Sequence, residues 1–275
     1  MRPRPPLASQ NGEDYLLLTA FGSQDRGFFI DVGAFDGVHL SNTWALEQIG
    51  WQGICVEPSR RVFPILAANR PRSVCIEAAV GSSCGKATLH MDPTMLLSSL
   101  GPKETVEAAF ERAAEFRGLE EHELEEIQVE VVTLNDLLRR SGFVGQIDLM
   151  SVDVEGAEED VLDGFDLMYY KPRVILIEAN DSDAKERLTT RLTAAGYEYC
   201  RSVSNNLFFS HDPVLIQSLR RTPLDCFIPR NIHPFGLDYT HPDQREDRIL
   251  LRGRKFTFSD LLGLVAEEGK AGSAE

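Results

Sequence analysis

The sequence has little with which to build a disulfide or zinc framework. It contains five cysteines among 275 residues, and no two of them form a C-x-x-C pair. Structural zinc sites and the frameworks of small secreted domains depend on such paired cysteines. The cysteine pattern therefore argues against both.

Basic residues and long apolar runs are also scarce. The chain has 28 Lys and Arg residues against 43 Asp and Glu residues, a net charge of −15 at pH 7. Phosphate backbones are bound by basic surfaces, so we expect no nucleic-acid partner. No apolar run approaches the ~20 residues that span a bilayer, and the N-terminus lacks the apolar segment of a secretory signal. We expect a cytoplasmic protein with no membrane partner.

The glycine motif that binds a pyrophosphate is missing as well. An apolar run over residues 28–32 predicts a buried parallel strand, and Gly33 and Gly37 follow it. NAD and FAD sites carry G-x-G-x-x-G at this position, and that pattern is absent. Asp31 and Asp36 would repel a pyrophosphate and suit a cationic ligand. S-adenosylmethionine, with a sulfonium and an ammonium but no phosphate, fits better, although the run could also be only a core strand with a glycine turn.

Glu57 supports a nucleoside ligand. It ends the second predicted strand, residues 53–57, and an acid at that place can accept both hydroxyls of a ribose. The small residues around Ala79, at the end of the third predicted strand, could flank an adenine. Together these features predict a nucleoside-cofactor pocket.

The order of predicted elements is that of an α/β fold. Strands and helices alternate from residue 27, and a terminal hairpin adds an antiparallel edge to a mostly parallel sheet of seven strands. We assign an N-terminal segment to residues 1–26, a domain to 27–211, a helical insertion or lid to 92–127 within it, and an extension to 212–275 with a disordered end. The predicted strands are 27–32, 53–57, 73–80, 147–154, 174–179, 197–203 and 207–210.

Asp153 and Glu155 follow the fourth core strand and are the leading catalytic candidates. Two close carboxylates can hold a proton, a metal ion or an ammonium group. Asp153 is the first candidate for a general base, with Glu155 or His39 as alternatives, and a Mg²⁺ ion at Asp153 stays open. Glu155 could instead cap the helix that follows.

Ser41, Asn42 and Thr43 precede a predicted helix over residues 43–49. Residue types of this kind cap helices, and their side chains could also bind the carboxylate end of the cofactor.

Several segments together resemble the FkbM family of S-adenosylmethionine-dependent methyltransferases. They occur in the family's order and cover about residues 9–211. The matching segments are SQNGED at 9–14, FFIDVGAFDGVHLSNT at 28–43, GWQGICVEPSRRVFPILAANR at 50–70, EAAVG at 77–81 and IDLMSVDVEGAEEDVLDGFD at 147–166.

The resemblance implies a class I methyltransferase fold, a Rossmann-like doubly wound sheet, and O-methylation of sugars or natural products. It places Asp153 and Glu155 at the mouth of the active site. Many relatives carry a lysine where this chain has Ser151. The residues that we predict at the cofactor are Asp31, Gly33, Ala34, Phe35, Asp36, Ser41, Asn42, Thr43, Glu57, Pro58, Ala79 and Asp153.

Other functions stay open at this point. The acceptor could be a small molecule or a glycosylated compound with a free hydroxyl, or it could be a carboxylate, which needs no strong base. A non-catalytic protein that binds the cofactor and a partner is a further alternative, and a homo-oligomer is compatible with the sequence. Acceptor selectivity is expected in residues 92–127 and in the extension 212–275.

Overall fold

The computed structural model describes residues 5, 7–91, 98–101, 103–104, 106–107, 124–224, 248–251 and 254–257. Helices and strands alternate along most of this length. The helices are α1 Glu13–Phe21, α2 Trp44–Gln48, α3 Phe63–Asn69, α4 Leu134–Arg140, α5 Glu158–Asp163, α6 Leu167–Tyr170, α7 Ser182–Ala194 and α8 Pro213–Arg221.

A sheet of seven strands forms the centre of the protein. Its strands are β1 Phe28–Val32, β2 Gln52–Glu57, β3 Val74–Glu77, β8 Leu149–Val152, β9 Val174–Glu178, β10 Glu198–Val203 and β11 Asn206–Ser210. They lie in the order β10-β11-β9-β8-β1-β2-β3. The neighbours from β9 to β3 pair in parallel, whereas β11 is antiparallel to both β9 and β10. The mostly parallel seven-stranded sheet with an antiparallel edge is thus confirmed.

Successive side chains of each strand point to opposite sides of the sheet. Helices pack on both sides, so both faces are buried. In β1, Ile30 and Val32 pack with the core that α4, α5 and α7 cover. Phe29 packs on the other face with α1, α2, α3 and α8. Asp31 shares the face of Phe29, which places a carboxylate where the alternation calls for a buried side chain.

Helices α1 and α8 are elements that the sequence analysis did not predict. The α1 segment is apolar around most of its circumference, so it lacks the periodicity by which a surface helix is recognised. Leu16 and Leu17 of α1 and Leu215 of α8 belong to the same buried cluster. Segments outside the predicted domain limits thus complete its core. The predicted disordered end, 268–275, lies outside the described residues.

A second, four-stranded sheet lies beside the cavity described below. Its order is β4-β7-β5-β6. The third predicted strand, 73–80, is divided, because β3 ends at Glu77 and the next residues pair with β7. Within the predicted helical insertion, 92–127, residues 103–104 and 106–107 are helical, but Glu125 and Glu126 begin a strand. These strands are β4 Ala79–Val80, β5 Gly85–Met91, β6 Ser98–Ser99 and β7 Glu125–Val132; a separate hairpin comprises β12 Arg248–Leu251 and β13 Arg254–Thr257.

Within the described part of the chain, no helix has the length and apolar character required to cross a membrane.

Candidate active site

A cavity of about 340 Å³ opens at the carboxyl ends of β1, β2, β8 and β9. This is the edge at which open α/β sheets bind their ligands. The predicted site residues that line it are Asp31, Gly33, Ala34, Phe35, His39, Ser41, Asn42, Glu57, Pro58, Ala79, Asp153 and Glu155. Asp36 and Thr43 are the two that do not.

The loop after β1 is held close to the end of β8. The N–H groups of Gly33 and Ala34 both donate to the carbonyl oxygen of Val56, at 3.0 Å. Gly33 has φ +80°, and a Cβ atom there would lie 1.8 Å from the carbonyl oxygen of Asp153. Only glycine fits this close approach of two backbones. The glycine therefore brings the loop against the strand end that carries Asp153.

Arg70 supports the end of this loop, at Gly37, from the interior of the protein. Its side chain is 0% exposed and pairs with the carboxylate of Glu47. It donates to the carbonyl oxygen of Gly37 at 3.0 Å and to the hydroxyls of Thr43 and Ser41 at 2.9 and 3.3 Å. One buried guanidinium thus ties together the loop, the start of α2 and the end of α3.

Asp36 and Thr43 belong to this support rather than to the cavity wall. The carboxylate of Asp36 accepts the N–H groups of Val38 and His39, which closes the loop on itself. The hydroxyl of Thr43 donates to Asp31 at 2.5 Å. Asp31 itself reaches the cavity, and burial raises the pKa of its carboxyl.

Glu57 lies at the end of β2 with its carboxylate only partly satisfied by the protein. One oxygen accepts the N–H of Ser59 at 2.9 Å and the other accepts the N–H of Phe35 at 3.1 Å. A carboxylate has about four acceptor positions, which leaves room for two hydroxyl donors. Burial, with a smaller contribution from Asp36, raises the pKa of Glu57 to about 7.

This pKa predicts a pH-dependent affinity for nucleoside cofactors. In the predicted role of Glu57, ribose hydroxyls donate to its ionised carboxylate, so a protonated Glu57 would have to lose its proton on binding. Affinity for S-adenosylhomocysteine is expected to fall by up to about tenfold for each pH unit below 7. Calorimetric titration from pH 5 to pH 8 measures this dependence.

The Glu57→Gln variant is expected to bind about 10- to 100-fold more weakly at pH 8, because a charge-assisted hydrogen bond is lost. It should also lack the part of the pH dependence that Glu57 causes. Glu77→Gln is the matched control, since Glu77 pairs in register with Glu57 but is exposed outside the cavity. Equal pH profiles for the wild type and Glu57→Gln would contradict the ribose assignment.

Three carboxylates meet on the opposite side of the cavity. Asp153, Glu155 and Glu178 each place an oxygen within 4.8 Å of the other two. Burial raises the pKa of Asp153 and, further, that of Glu178, whose carboxyl also faces the charges of Asp153 and Glu155. Like charges this close favour a shared proton or a bound cation. The raised pKa values favour a proton on Glu178, shared with Asp153, where no cation is bound.

The alternative role of Glu155 as a helix cap is not what the structure shows. The carboxylate that accepts the N–H groups of Val154 and Gly156 at the start of α5 belongs to Glu158. Glu155 has φ +54°, and its carbonyl oxygen accepts the hydroxyl of Ser99 at 2.8 Å. Its side chain is thereby left on the cavity side, within the carboxylate group.

His39, Ser41 and Asn42 form the wall next to the loop. The N-cap residue of α2 is Thr43, and no side chain caps the helix, which differs from the predicted capping role of these residues. The Ser41 hydroxyl instead accepts the N–H groups of Thr43 and Trp44 at the turn that leads into α2. The amide of Asn42 donates to Ser151 at 3.3 Å. Ser151 lines the cavity and is 1% exposed, so the position at which many relatives carry a lysine does belong to the site.

The sequence analysis missed part of the wall. Glu178 and Asn180 follow the fifth predicted strand, so their position at the ligand-binding edge was visible in the sequence, but they were not among the predicted site residues. Residues on separate loops gave no such signal, because their approach depends on the tertiary fold. The additional polar lining residues are Gln10, Asn11, Ser98, Ser99, Ser151, Glu178, Asn180, Ser204, Asn205 and Asn206.

The charge of the cavity is one-sided. Five carboxyl groups line it, and none of its described lining residues is Lys or Arg. A phosphate-bearing ligand would find no Lys or Arg partner among these lining residues, whereas a cation or a hydroxyl-rich molecule would find acceptors. The five are Asp31, Glu57, Asp153, Glu155 and Glu178.

The chain was compared with known families and proteins. A family model described as the methyltransferase FkbM domain matches residues 31–199. No curated protein matches the chain. Solved structures that are similar to it include a precorrin-6y C5,15-methyltransferase from Geobacter metallireducens, at 11% identity, with 75% of this chain and 97% of the other covered and a TM-score of 0.39.

Two more solved structures are comparable. A TehB-like SAM-dependent methyltransferase from Corynebacterium glutamicum is 11% identical, with 73% of this chain and 88% of the other covered and a TM-score of 0.38. A ribosomal protein L11 methylase from Lactobacillus delbrueckii subsp. bulgaricus is 10% identical, with 71% and 74% covered and a TM-score of 0.35.

Proposed function

Because the chain belongs to the FkbM methyltransferase family and is thereby an S-adenosylmethionine-dependent methyltransferase, we propose that it methylates a hydroxyl oxygen of a sugar or natural-product acceptor. The observation that carries the choice of acceptor is the carboxylate pair of Asp153 and Glu178 in the cavity. An alcohol must lose a proton as it is methylated, and a half-buried carboxylate with a raised pKa can take it.

The residues of the cavity fit the cofactor that the family implies. Glu57 offers free acceptor positions to a ribose, and Asp31 offers a negative charge to an ammonium group. Ala79, Leu89 and Pro58 give an apolar wall of the kind that an adenine requires.

S-adenosylmethionine, when bound, supplies an electrophilic methyl group on a sulfur that is a good leaving group. The chain's task is then to align the acceptor oxygen and to accept its proton. Asp153 is the proposed base, and Glu178 holds it in place by a hydrogen bond. Glu155 completes the negative wall of the acceptor side.

The acceptor side also suits a molecule with several hydroxyl groups. Asn180, Asn205 and Asn206 line it together with the carboxylates. Amide groups donate and accept at once, and hydroxyls do the same. An acceptor carboxylate would be repelled by the acids, which disfavours the alternative of carboxylate methylation.

A divalent cation is a second candidate for the carboxylate group. Oxygens of Asp153, Glu155 and Glu178 lie within 4.8 Å of one another, and Mg²⁺ and Ca²⁺ prefer carboxylate ligands. In that role the acids would hold a metal that lowers the pKa of the acceptor hydroxyl. Turnover that is lost in chelator and restored by Mg²⁺ would favour it, whereas turnover that is unaffected by chelator favours the proton-accepting role.

The first experiment is a titration of the purified protein with S-adenosylhomocysteine and, separately, with NADH. Micromolar binding of the first alone is expected. Labelled S-adenosylmethionine is then incubated with the protein and a panel of methyl glycosides. Label transferred to a glycoside ether supports the proposal, and transfer only to carboxylic acids would replace it with ester formation. Absence of S-adenosylhomocysteine binding would contradict a competent cofactor site.

A further inference from the structure

The segment SQNGED, residues 9–14, lies ahead of the predicted domain, yet it reaches the cavity. Ser9 forms an isolated parallel bridge with Leu40, at the end of the glycine loop. On its other side, the carboxylate of Glu13 accepts the amide of Asn206 at 3.0 Å. The segment therefore spans the opening between the cofactor loop and the β10–β11 hairpin.

Four of its six residues have structural roles. The Ser9 hydroxyl donates to Asp14 at 2.6 Å and accepts the N–H of Gly12 at 3.2 Å. Asp14, which is buried, also accepts the N–H groups of Ala8 and Ser9. Glu13 accepts the N–H of Asn11 at 2.8 Å, and Gly12 has φ +91°, which favours glycine.

Gln10 and Asn11 both line the cavity, and the side-chain amide of Asn11 also donates to Glu13 at 3.4 Å. The other four residues fix the backbone on either side of them, so the two amides are presented from a built loop rather than from a loose tail. Structure alone gives no reason for an exposed glutamine at this place. Their position facing the opening is what a ligand contact requires.

We propose that Gln10 and Asn11 bind hydroxyl groups of the acceptor and so help to select a hydroxyl-rich, glycoside-like substrate. This inference rests on the proposed function. The two residues are linked through Glu13 to Asn206, whose neighbour Asn205 also lines the cavity. The result is a wall of neutral amides facing the carboxylates of Asp153 and Glu178. Such a wall matches the paired donors and acceptors of a sugar ring.

The test measures two affinities on the same proteins. Calorimetry gives the Kd of S-adenosylhomocysteine, and saturation-transfer NMR at saturating S-adenosylhomocysteine gives the Kd of methyl glycosides of hexoses and 6-deoxyhexoses. For Gln10→Ala and for Asn11→Ala, the first Kd is expected to stay within about twofold. The glycoside Kd is expected to rise about tenfold, the size of one lost hydrogen bond.

Gln217→Ala is the matched control, because Gln217 is an exposed amide on α8 outside the cavity. Both affinities should be unchanged in it. If Gln10→Ala lost affinity for S-adenosylhomocysteine as strongly as for the glycoside, the segment would be assigned to cofactor binding and the inference would be overturned. Unchanged glycoside binding in both variants would also overturn it, as would a wild type that binds S-adenosylhomocysteine but no glycoside. A wild type that does not bind S-adenosylhomocysteine would instead contradict the proposed function itself.

Discussion

The Asp153→Asn variant is expected to lose about 100- to 10,000-fold in turnover, the range of a general base, while its Kd for S-adenosylhomocysteine stays near that of the wild type. The substitution keeps the size of the side chain and a hydrogen-bonding group toward Glu178, but it removes the proton acceptor. The backbone N–H of Asp153, which donates to Val32, is untouched. Transfer of label from S-adenosylmethionine to the glycoside acceptor is the measurement.

Asp160→Asn is the control, because Asp160 is an exposed carboxylate on α5 outside the cavity. Its turnover should match the wild type. If Asp153→Asn retained full turnover, Asp153 would not be the base, and Glu155 and His39 would be the next residues to replace. A retained turnover in a variant lacking both Asp153 and Glu155 would point to an acceptor that is already ionised.

The Arg70→Met variant is expected to lose about 3–5 kcal/mol of unfolding free energy, the usual cost of leaving buried partners without their counter-ion. Glu47 and Asp31 are 1% and 5% exposed and would lose the cation that faces them. Gly37, whose carbonyl oxygen accepts from Arg70, would lose its anchor. Urea unfolding at constant pH measures the difference, and binding of S-adenosylhomocysteine should weaken with it.

Two variants make this result interpretable. Arg60→Met removes an exposed ion pair with Glu77, whose side chains are 77% and 41% exposed, and should change stability little. The double variant Arg70→Met/Glu47→Gln should recover part of the loss, because one unpaired buried charge disappears. A single variant as stable as the wild type would mean that the loop is held without Arg70.

The residues that line the cavity were easier to predict from the sequence than the residues that hold the cavity loop in place. Asp31, Glu57 and Asp153 follow strands whose apolar runs are distinctive, and parallel strands deliver their carboxyl ends to one edge. Their juxtaposition could therefore be predicted. Their assignment to cofactor or catalysis stays a prediction that the variants above will test.

Arg70 shows why the supports could not be predicted in the same way. A single arginine at a helix end is normally a surface residue. The residues around Arg70 in the sequence do not indicate that its side chain is 0% exposed. Gln10 and Asn11 were equally hard to predict, because Ser9 and Glu13 beside them hold their loop at the cavity through contacts with Leu40 and Asn206, which are distant in the sequence. Such long-range contacts are properties of the tertiary fold, and periodicity in the sequence does not encode them.

The arginine beneath the loop also has a consequence for the time course of cofactor exchange. Arg70 fixes residues between Gly37 and Thr43 before any ligand arrives. Cofactor binding therefore does not have to wait for this loop to become ordered. The entropy cost of ordering the loop is already part of folding and does not reduce the binding free energy. Association should then proceed at similar rates for related nucleosides, and differences among them should appear in how long each complex survives.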